Sequence, residues 1–156
     1  MTEQAGIEKL DHRADAIAAK MVTVFQRSYR IEGDLIGMDD FPPLRRTAAD
    51  LQASDAMFFG AWCEGELAAA IEVTLEPEEE LSIHSLVVDP AFFRRGLAGR
   101  LLCFVCDRLT WKTAVVDTAI VNEPAIALYR KYGFSEVKRW TPQHGIPKIL
   151  LRRQAP

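Results

Sequence analysis

No stretch of this chain is apolar over enough residues to span a bilayer, and its N-terminus lacks the basic-then-apolar order of a secretory signal. The expectation is a cytoplasmic protein with no membrane partner. Cysteine is scarce: Cys63, Cys103 and Cys106 are too few, and odd in number, for a disulfide framework, and they fit a reducing compartment. Cys103 and Cys106 form a Cys-x-x-Cys, but it lies in the apolar run 101–106 with no second ligand pair, so both read as small buried hydrophobes and no metal is expected. An excess of basic charge is also missing. With 19 Lys and Arg against 22 Asp and Glu, the net charge of −3 argues against a general nucleic-acid binder. Neither Gly-x-x-x-x-Gly-Lys-Ser/Thr nor Gly-x-Gly-x-x-Gly occurs, which removes the two commonest nucleotide loops. Repeats and disordered tracts are absent, and 156 residues, 49% of them hydrophobic, suffice for one domain over 1–156 with a substantial core.

What is present is concentrated between Leu81 and Phe134. An apolar strand, Leu86-Val87-Val88-Asp89-Pro90, runs into Phe93-Arg94-Arg95-Gly96-Leu97-Ala98-Gly99-Arg100 and then an amphipathic helix. A strand turning through glycines into a helix N-terminus makes an anion cradle, because the first backbone N–H groups have no intrahelical partners and the macrodipole is positive there. Arg94, Arg95 and Arg100 add charge around it. A second apolar strand, Ala114 to Val121, then leads into Asn122-Glu123-Pro124-Ala125-Ile126-Ala127-Leu128-Tyr129-Arg130-Lys131-Tyr132-Gly133-Phe134.

These two blocks resemble those of the GNAT family of N-acetyltransferases. Gly96-Leu97-Ala98 is similar to the second half of the family's (Gln/Arg)-x-x-Gly-x-(Gly/Ala) signature, with Phe93 departing where the family has Gln or Arg. The run from Asn122 matches the family's Asn-x-x-Ala-x-x-Leu-Tyr-x-Lys-x-Gly-Phe at every named position. The resemblance covers roughly residues 57–140, while the N-terminal third diverges.

The resemblance implies an α/β fold with a mixed central sheet, two splayed parallel strands and helices on both faces. It implies acetyl-CoA as cosubstrate, with the pyrophosphate on the loop and helix start from Arg94, Arg95, Gly96, Leu97, Ala98, Gly99 to Arg100. The pantetheine arm would lie along Leu86, Val87 and Val88, whose backbone can serve as a sheet edge while their side chains pack. Asn122 would contact the cofactor, although it also suits the turn before Pro124. Tyr129 would protonate the departing thiolate, a task a phenol suits because it keeps its proton at neutral pH. Its helical spacing is equally that of a packed aromatic.

Elsewhere the apolar period of Ile17, Met21, Val24 and Phe25 predicts a helix over 15–29, with Gly33 and Gly37 ending the region. Residues 6–10 read either as a first strand or, with 2–5, as an extension of that helix. Thr47 with Asp50 predicts a capped helix to Ala53. Glu64-Gly65-Glu66 predicts a three-residue hairpin loop between strands 56–63 and 67–75. Strands over 81–88, 114–121, 135–140 and 146–152 and helices over 96–109 and 124–132 complete the order.

An amine acceptor is mostly protonated at neutral pH, so a proton must leave it. Asp117 is the first candidate base: a mid-strand carboxylate is costly unless it faces water or a partner, and ribosomal-protein alanine acetyltransferases resemble this chain there but carry Glu. His84, two residues before Leu86 and on the same face of a regular strand, is the second. Glu72 is the third, and an ordered water the fourth. The acceptor site is expected between a loop holding Glu32, Asp34, Asp39 and Asp40 with Tyr29 and Phe41, and a wall of Trp140, His144 and the 142–147 turn. That acidity fits a cationic amine on a small molecule or peptide, and equally a solvated loop. The competing function is a catalytically silent acyl-CoA-binding or regulatory domain, and a homodimer stays open.

Overall fold

A computed structural model describes residues 6–156. The order is β1 (Gly6–Lys9), α1 (Asp15–Ile36), α2 (Ala48–Ala53), β2 (Met57–Cys63), β3 (Glu66–Glu76), β4 (Glu80–Val88), α3 (Leu97–Arg108), β5 (Thr113–Ala119), α4 (Glu123–Lys131), β6 (Ser135–Trp140) and β7 (Lys148–Gln154). Of the two readings of the N-terminus, the strand holds for Gly6–Lys9, and residues 2–5 lie outside the described residues. The strands form one sheet in the order β1-β2-β3-β4-β5-β7-β6, in which only β4 and β5 run parallel.

The sheet is covered on both faces. On one, Leu101, Leu102 and Val105 of α3 pack on Ile71, Leu81 and Leu151. On the other, Met21 and Phe25 of α1 and Leu51 of α2 pack on Phe58 and Val87. Each helix buries the side its 3.6-residue period selects.

Helix α1 runs seven residues beyond Tyr29, to Ile36, so the expected end was too early. Gly33 is an interior position where the returning chain touches the helix: a Cβ there would stand 3.0 Å from the Met38 carbonyl and 3.3 Å from Phe41 Cβ. The stop is Gly37, left-handed at φ 77°, with Met38 N donating to Gly33 O at 2.8 Å. Thr47 and Asp50 form the expected capping box of α2. The β2–β3 connection is tighter than expected. Cys63 pairs with Glu66, leaving Glu64 and Gly65, both at positive φ, as a two-residue turn whose twist matches the strands. Of the two cysteines expected to be buried, Cys106 is half-buried and Cys103 is exposed on α3, because the helix turns position 103 away from the sheet.

Two features of β4 set up the site. First, Val73 pairs with Ile83 but Glu72 pairs with Ser85, so His84 is an extra residue in a bulge. The bulge shifts the alternation: Ile83 and Leu86 both pack toward α3, while Ser85 and Val87 face α1. His84 reaches Thr74 at 2.7 Å, on the face shared with Glu72, so it does not share a face with Leu86 as a regular strand would require. Second, β4 and β5 pair only over Glu80–Ile83 and Thr113–Val116. Beyond that, Asp117–Ala119 pair with β7 and Ser85–Val88 with β3, so the sheet splits into a wedge.

Helix α3 also lies very close to the end of α4. A Cβ on Gly99 would collide with the Tyr132 hydroxyl and lie 3.0 Å from its Cζ. Gly99→Ala is therefore expected to destabilise by about 1–3 kcal/mol despite alanine's better helix propensity. Thermal unfolding of Gly99→Ala beside Gly99→Ala/Tyr132→Phe checks this, with the second variant recovering part of the loss.

Candidate active site

The wedge opens into a cavity of about 350 Å³ that receives side chains from every surrounding element. α1 supplies Tyr29, Glu32 and Ile36, β4 supplies His84, Ser85 and Leu86, and β5 supplies Val116 through Ala119. Asn122 and Tyr129 come from the start of α4 and its second turn, and His144, Ile146 and Lys148 close the far side.

Tyr129 is the most deeply placed polar group, at 4% exposure, with its ring edge-on to Phe134 at 5.6 Å. Its hydroxyl has no hydrogen-bond partner among the described residues, yet it is not sealed from solvent-sized space. Burial, then the charges of Glu32, Tyr29 and Asp117, raises its pKa well above that of an ordinary phenol. The side chain is thus a neutral O–H facing a cavity.

Asn122 caps α4, its Oδ1 accepting from Ala125 N at 3.4 Å, and Pro124 sits in the first turn where a missing N–H costs nothing. Its Nδ2 donates to Thr118 Oγ1 at 3.4 Å, and its side chain lies beside Glu32, favouring the ionised form of that carboxyl. The turn role and the site role coexist in one residue.

Glu72 is not free to act as a base. Arg46 donates to both of its carboxylate oxygens at 2.7 Å, and Ser85 Oγ donates to Oε1 at 2.9 Å. Burial pushes this carboxyl upward, but the Arg46 and Ser85 bonds outweigh it and hold the pKa below the usual glutamate range. The ionised carboxylate can only accept, so Ser85 must donate to it, and the 2.7 Å contact between Tyr29 and Ser85 must carry the Tyr29 proton. Tyr29 therefore turns lone pairs, not a proton, toward the cavity. Burial pushes its pKa up to about 12.

Asp117 is 44% exposed at the cavity rim and ion-paired with Lys148. The partner that makes a mid-strand carboxylate tolerable is thus a lysine on β7. His84 is exposed and bonded to Thr74. Glu32, read from the sequence only as part of an acidic loop, is instead on α1, half-buried in the cavity wall. It was obscured because the helix was expected to end at Tyr29, and the signal was available in the spacing of Tyr29, Glu32 and Ile36. Asp34, Asp39 and Asp40 do not line the cavity, and Asp40 is engaged by Arg45 at 3.0 Å. Trp140 is likewise outside it, with Lys138 over its ring, whereas Phe41 and His144 stand where the two walls were expected.

The strand β4 leads from the wedge to the cradle. Asp89 fastens the loop: its N–H donates to Ala68 O at 2.8 Å, its carboxylate accepts from Ala91 N at 2.9 Å, and Arg27 pairs with it at 3.0 Å. Arg94 and Gly96 both sit at left-handed φ, 67° and 71°, so the chain bends sharply into α3. No capping side chain and no backbone carbonyl accepts from the N–H groups of Leu97, Ala98 and Gly99 among the described residues. Arg95 stacks on Phe92 at 5.1 Å and lies 3.6 Å from Glu64, and Arg100 is exposed on the first turn. Phe93 is 46% exposed and contributes no charge. Three unpartnered main-chain donors at a helix N-terminus, beside a free sheet edge, fit a phosphate-bearing, amide-bearing ligand.

The sequence profile of the acetyltransferase (GNAT) family matches residues 19–134. The chain belongs to that family. The GNAT fold extends to solved structures: the PaiA N-acetyltransferase of Thermoplasma acidophilum, in complex with coenzyme A, superposes at TM-score 0.79 and 15% identity over 97% of this chain and 99% of that one. Among relatives, the UPF0157 protein YqkA of Bacillus subtilis is 34% identical over 141 residues, 90% of this chain but 41% of YqkA, so the chain spans less than half of that protein. The N-alpha-acetyltransferase RimI of Mycobacterium tuberculosis is 29% identical over 137 residues, 83% of this chain and 86% of RimI. Among the described residues of this GNAT domain, no cluster of His, Cys, Asp or Glu is arranged for a metal, and no helix is long and apolar enough to cross a membrane.

Proposed function

We propose that this chain moves an acetyl group from acetyl-CoA to a primary amine of a small molecule or peptide, by direct attack of the amine on the thioester. The observation that carries the reading is the Tyr129 hydroxyl, buried, protonated and without a hydrogen-bond partner among the described residues, on the wall of a cavity whose open strand edge leads to the cradle. Family membership supports it, and a relative named as an N-alpha-acetyltransferase supports an amine acceptor.

In this reading Leu97, Ala98 and Gly99 hold pyrophosphate oxygens with main-chain N–H groups, Gly96 supplies the turn, and Arg94, Arg95 and Arg100 surround the phosphates with charge. The backbone of Leu86, Val87 and Val88 bonds the amides of the pantetheine arm. Bound acetyl-CoA supplies an activated acyl carbon and a thiolate leaving group. Asn122 fixes the start of α4 beside that group, and Tyr129 gives its proton to the sulfur as the C–S bond breaks. Tyr29, held as an acceptor by Ser85, orients the amine.

The test is thiol release from acetyl-CoA against polyamines, aminoglycosides, amino acids and peptides. Turnover with an amine supports the reading. Binding of acetyl-CoA with no turnover across the panel makes the chain a silent acyl-CoA-binding domain. Binding itself has a separate check. A ligand of the native state alone adds roughly 2.7 kcal/mol of stability at a hundredfold excess over Kd, and Gly96→Asp is expected to remove most of that rise, because it sets a carboxylate against the pyrophosphate. Melting curves with and without acetyl-CoA decide it, and a folded Gly96→Asp variant with the full shift refutes the cradle.

A further inference from the structure

We propose that Glu32 receives the acceptor amine as an ammonium ion and takes its proton. The proposal rests on the acetyltransferase reading above and adds to it the group that activates the nucleophile.

The geometry points to Glu32 by what each other group is already doing. Glu72 is fixed between Arg46 and Ser85 and does not line the cavity. Asp117 has its charge met by Lys148. His84 is turned to Thr74, and the His144 Nδ1 accepts from Ile146 N at 3.2 Å within its own loop. Glu32 lines the same cavity with a carboxylate that no Lys or Arg ion-pairs among the described residues. The Asn122 side chain lies beside it on the same cavity wall and favours its ionised form, and Asn122 caps the helix that carries Tyr129. The candidate proton acceptor and the candidate proton donor therefore line one cavity on either side of Asn122.

Local sequence explains the placement. Tyr29, Glu32 and Ile36 are three and four residues apart on α1, so they share the face turned into the wedge. That face is in place because the helix continues through Gly33. A half-buried carboxylate with no ion-pair partner is unfavourable, and a primary ammonium, a compact charge with three donors, satisfies it. Tyr29 is ordered to accept from the same group. The cavity thus offers an ammonium two acceptors, Glu32 and the Tyr29 oxygen.

Burial raises the Glu32 carboxyl above its ordinary value, against the opposing effects of the Asn122 side chain and the Lys148 charge. A carboxylate so raised is a better match for a proton held by an amine than a solvated one. The groups facing it are Tyr29 on its own helix, His84 from β4, Asp117 from β5, Asn122 and Tyr129 from α4, His144 from the β6–β7 loop and Lys148 from β7. Glu32 takes one proton from the ammonium and releases it to solvent. The nitrogen forms the C–N bond, the C–S bond breaks, and sulfur leaves as a thiol with the Tyr129 proton. The second proton lost by the nitrogen restores Tyr129.

The experiment is the pH profile of kcat/KM with acetyl-CoA and spermidine, kanamycin, lysine and an alanyl peptide as acceptors, for wild type, Glu32→Gln and Glu32→Asp. It is read beside a carbon-13 carboxyl titration that assigns Glu32 by its loss in the Gln variant. In wild type the acidic limb is expected above the ordinary glutamate range and coincident with the Glu32 titration, since the ionised form is the active one. Glu32→Gln should lower kcat by about 100-fold or more and lose that limb, with melting temperature and the acetyl-CoA shift retained. Glu32→Asp should restore a limb that follows the new carboxyl, and it carries the test by itself if the Gln variant unfolds. A Gln variant that keeps the limb, or one whose KM rises at unchanged kcat, overturns the proposal. So does loss of the limb in Asp117→Asn or His84→Gln instead. A wild-type protein with no turnover on any acceptor overturns the transferase reading itself, and this inference with it, which is a different result from a working enzyme indifferent to Glu32.

Discussion

Arg46→Met is expected to lower the unfolding free energy by about 3–5 kcal/mol, the usual cost of stripping one partner from a buried ion pair. Glu72 is 4% exposed and accepts two bonds from Arg46, so removing the guanidinium leaves a desolvated carboxylate with only Ser85. The same substitution removes a cation lying over the rings of Phe25 at 5.8 Å and Phe58 at 5.9 Å, where α1 meets the sheet. The pH dependence identifies the cause. In wild type the Glu72 pKa is depressed by folding, so its contribution is present above the unfolded glutamate pKa and is lost as pH falls through the folded one. In Arg46→Met the folded pKa lies above the unfolded value, so stability is retained below the unfolded pKa and lost as pH rises through the folded one. The gap between variant and wild type should therefore be widest near neutrality and shrink in acid. Denaturant titrations at pH 4 and pH 7 measure it, and Arg46→Met/Glu72→Gln should recover part of the loss, because the amide oxygen still accepts from Ser85. An equal gap at both pH values would place the effect in lost packing.

The same pair matters beyond stability. With Glu72 held ionised, the proton order of Ser85 and Tyr29 is fixed, and the cavity wall accepts hydrogen bonds. Without it, Ser85 is free to rotate and Tyr29 can present its proton. On the proposed acetyltransferase reading, loss of Arg46 would then weaken amine binding from outside the cavity.

Much of this architecture was readable from residues alone because it depends on local signals. The Thr47–Asp50 box, the strand-to-helix turn at Gly96 and the Asn122-to-Phe134 block each encode their geometry within a few positions. What escaped depends on contacts distant in sequence. Helix α1 passes Gly33, where Phe41 returns to touch it, and no local rule contains that contact. The alternation in β4 fails at His84 because Glu72, on another strand, pairs with Ser85. Both misses fall on the site. The first hid Glu32, and the second put His84 on the wrong face. Asp117 stands out in the sequence as a mid-strand carboxylate, but the Lys148 that accompanies it lies on a strand 31 positions later and could not be foreseen by spacing.

Tyr129→Phe separates chemistry from binding. The substitution deletes one oxygen and keeps the ring that packs against Phe134, and no hydrogen bond is lost, since the hydroxyl has no protein partner among the described residues. Melting temperature and the stabilisation by acetyl-CoA should therefore remain close to wild type. If Tyr129 gives its proton to the leaving sulfur, kcat should fall by about 10²–10⁴-fold, the range for a positioned proton donor. Its raised pKa sharpens the expectation. A phenol that resists ionisation stays loaded with its proton through neutral and mildly alkaline pH, so wild-type kcat should show no loss there from Tyr129 titration. Such a phenol yields its proton only to a base as strong as a nascent thiolate in the same water-poor cavity. The loss in Tyr129→Phe should also shrink for a thioester whose leaving thiol is more acidic than that of coenzyme A, because that thiolate departs without a proton. Steady-state rates with acetyl-CoA and with such an aryl thioester, at matched saturation, give the comparison. An equal loss with both donors would mean that the hydroxyl positions the acyl group, and a variant turning over at the wild-type rate would leave the thiolate to depart unaided.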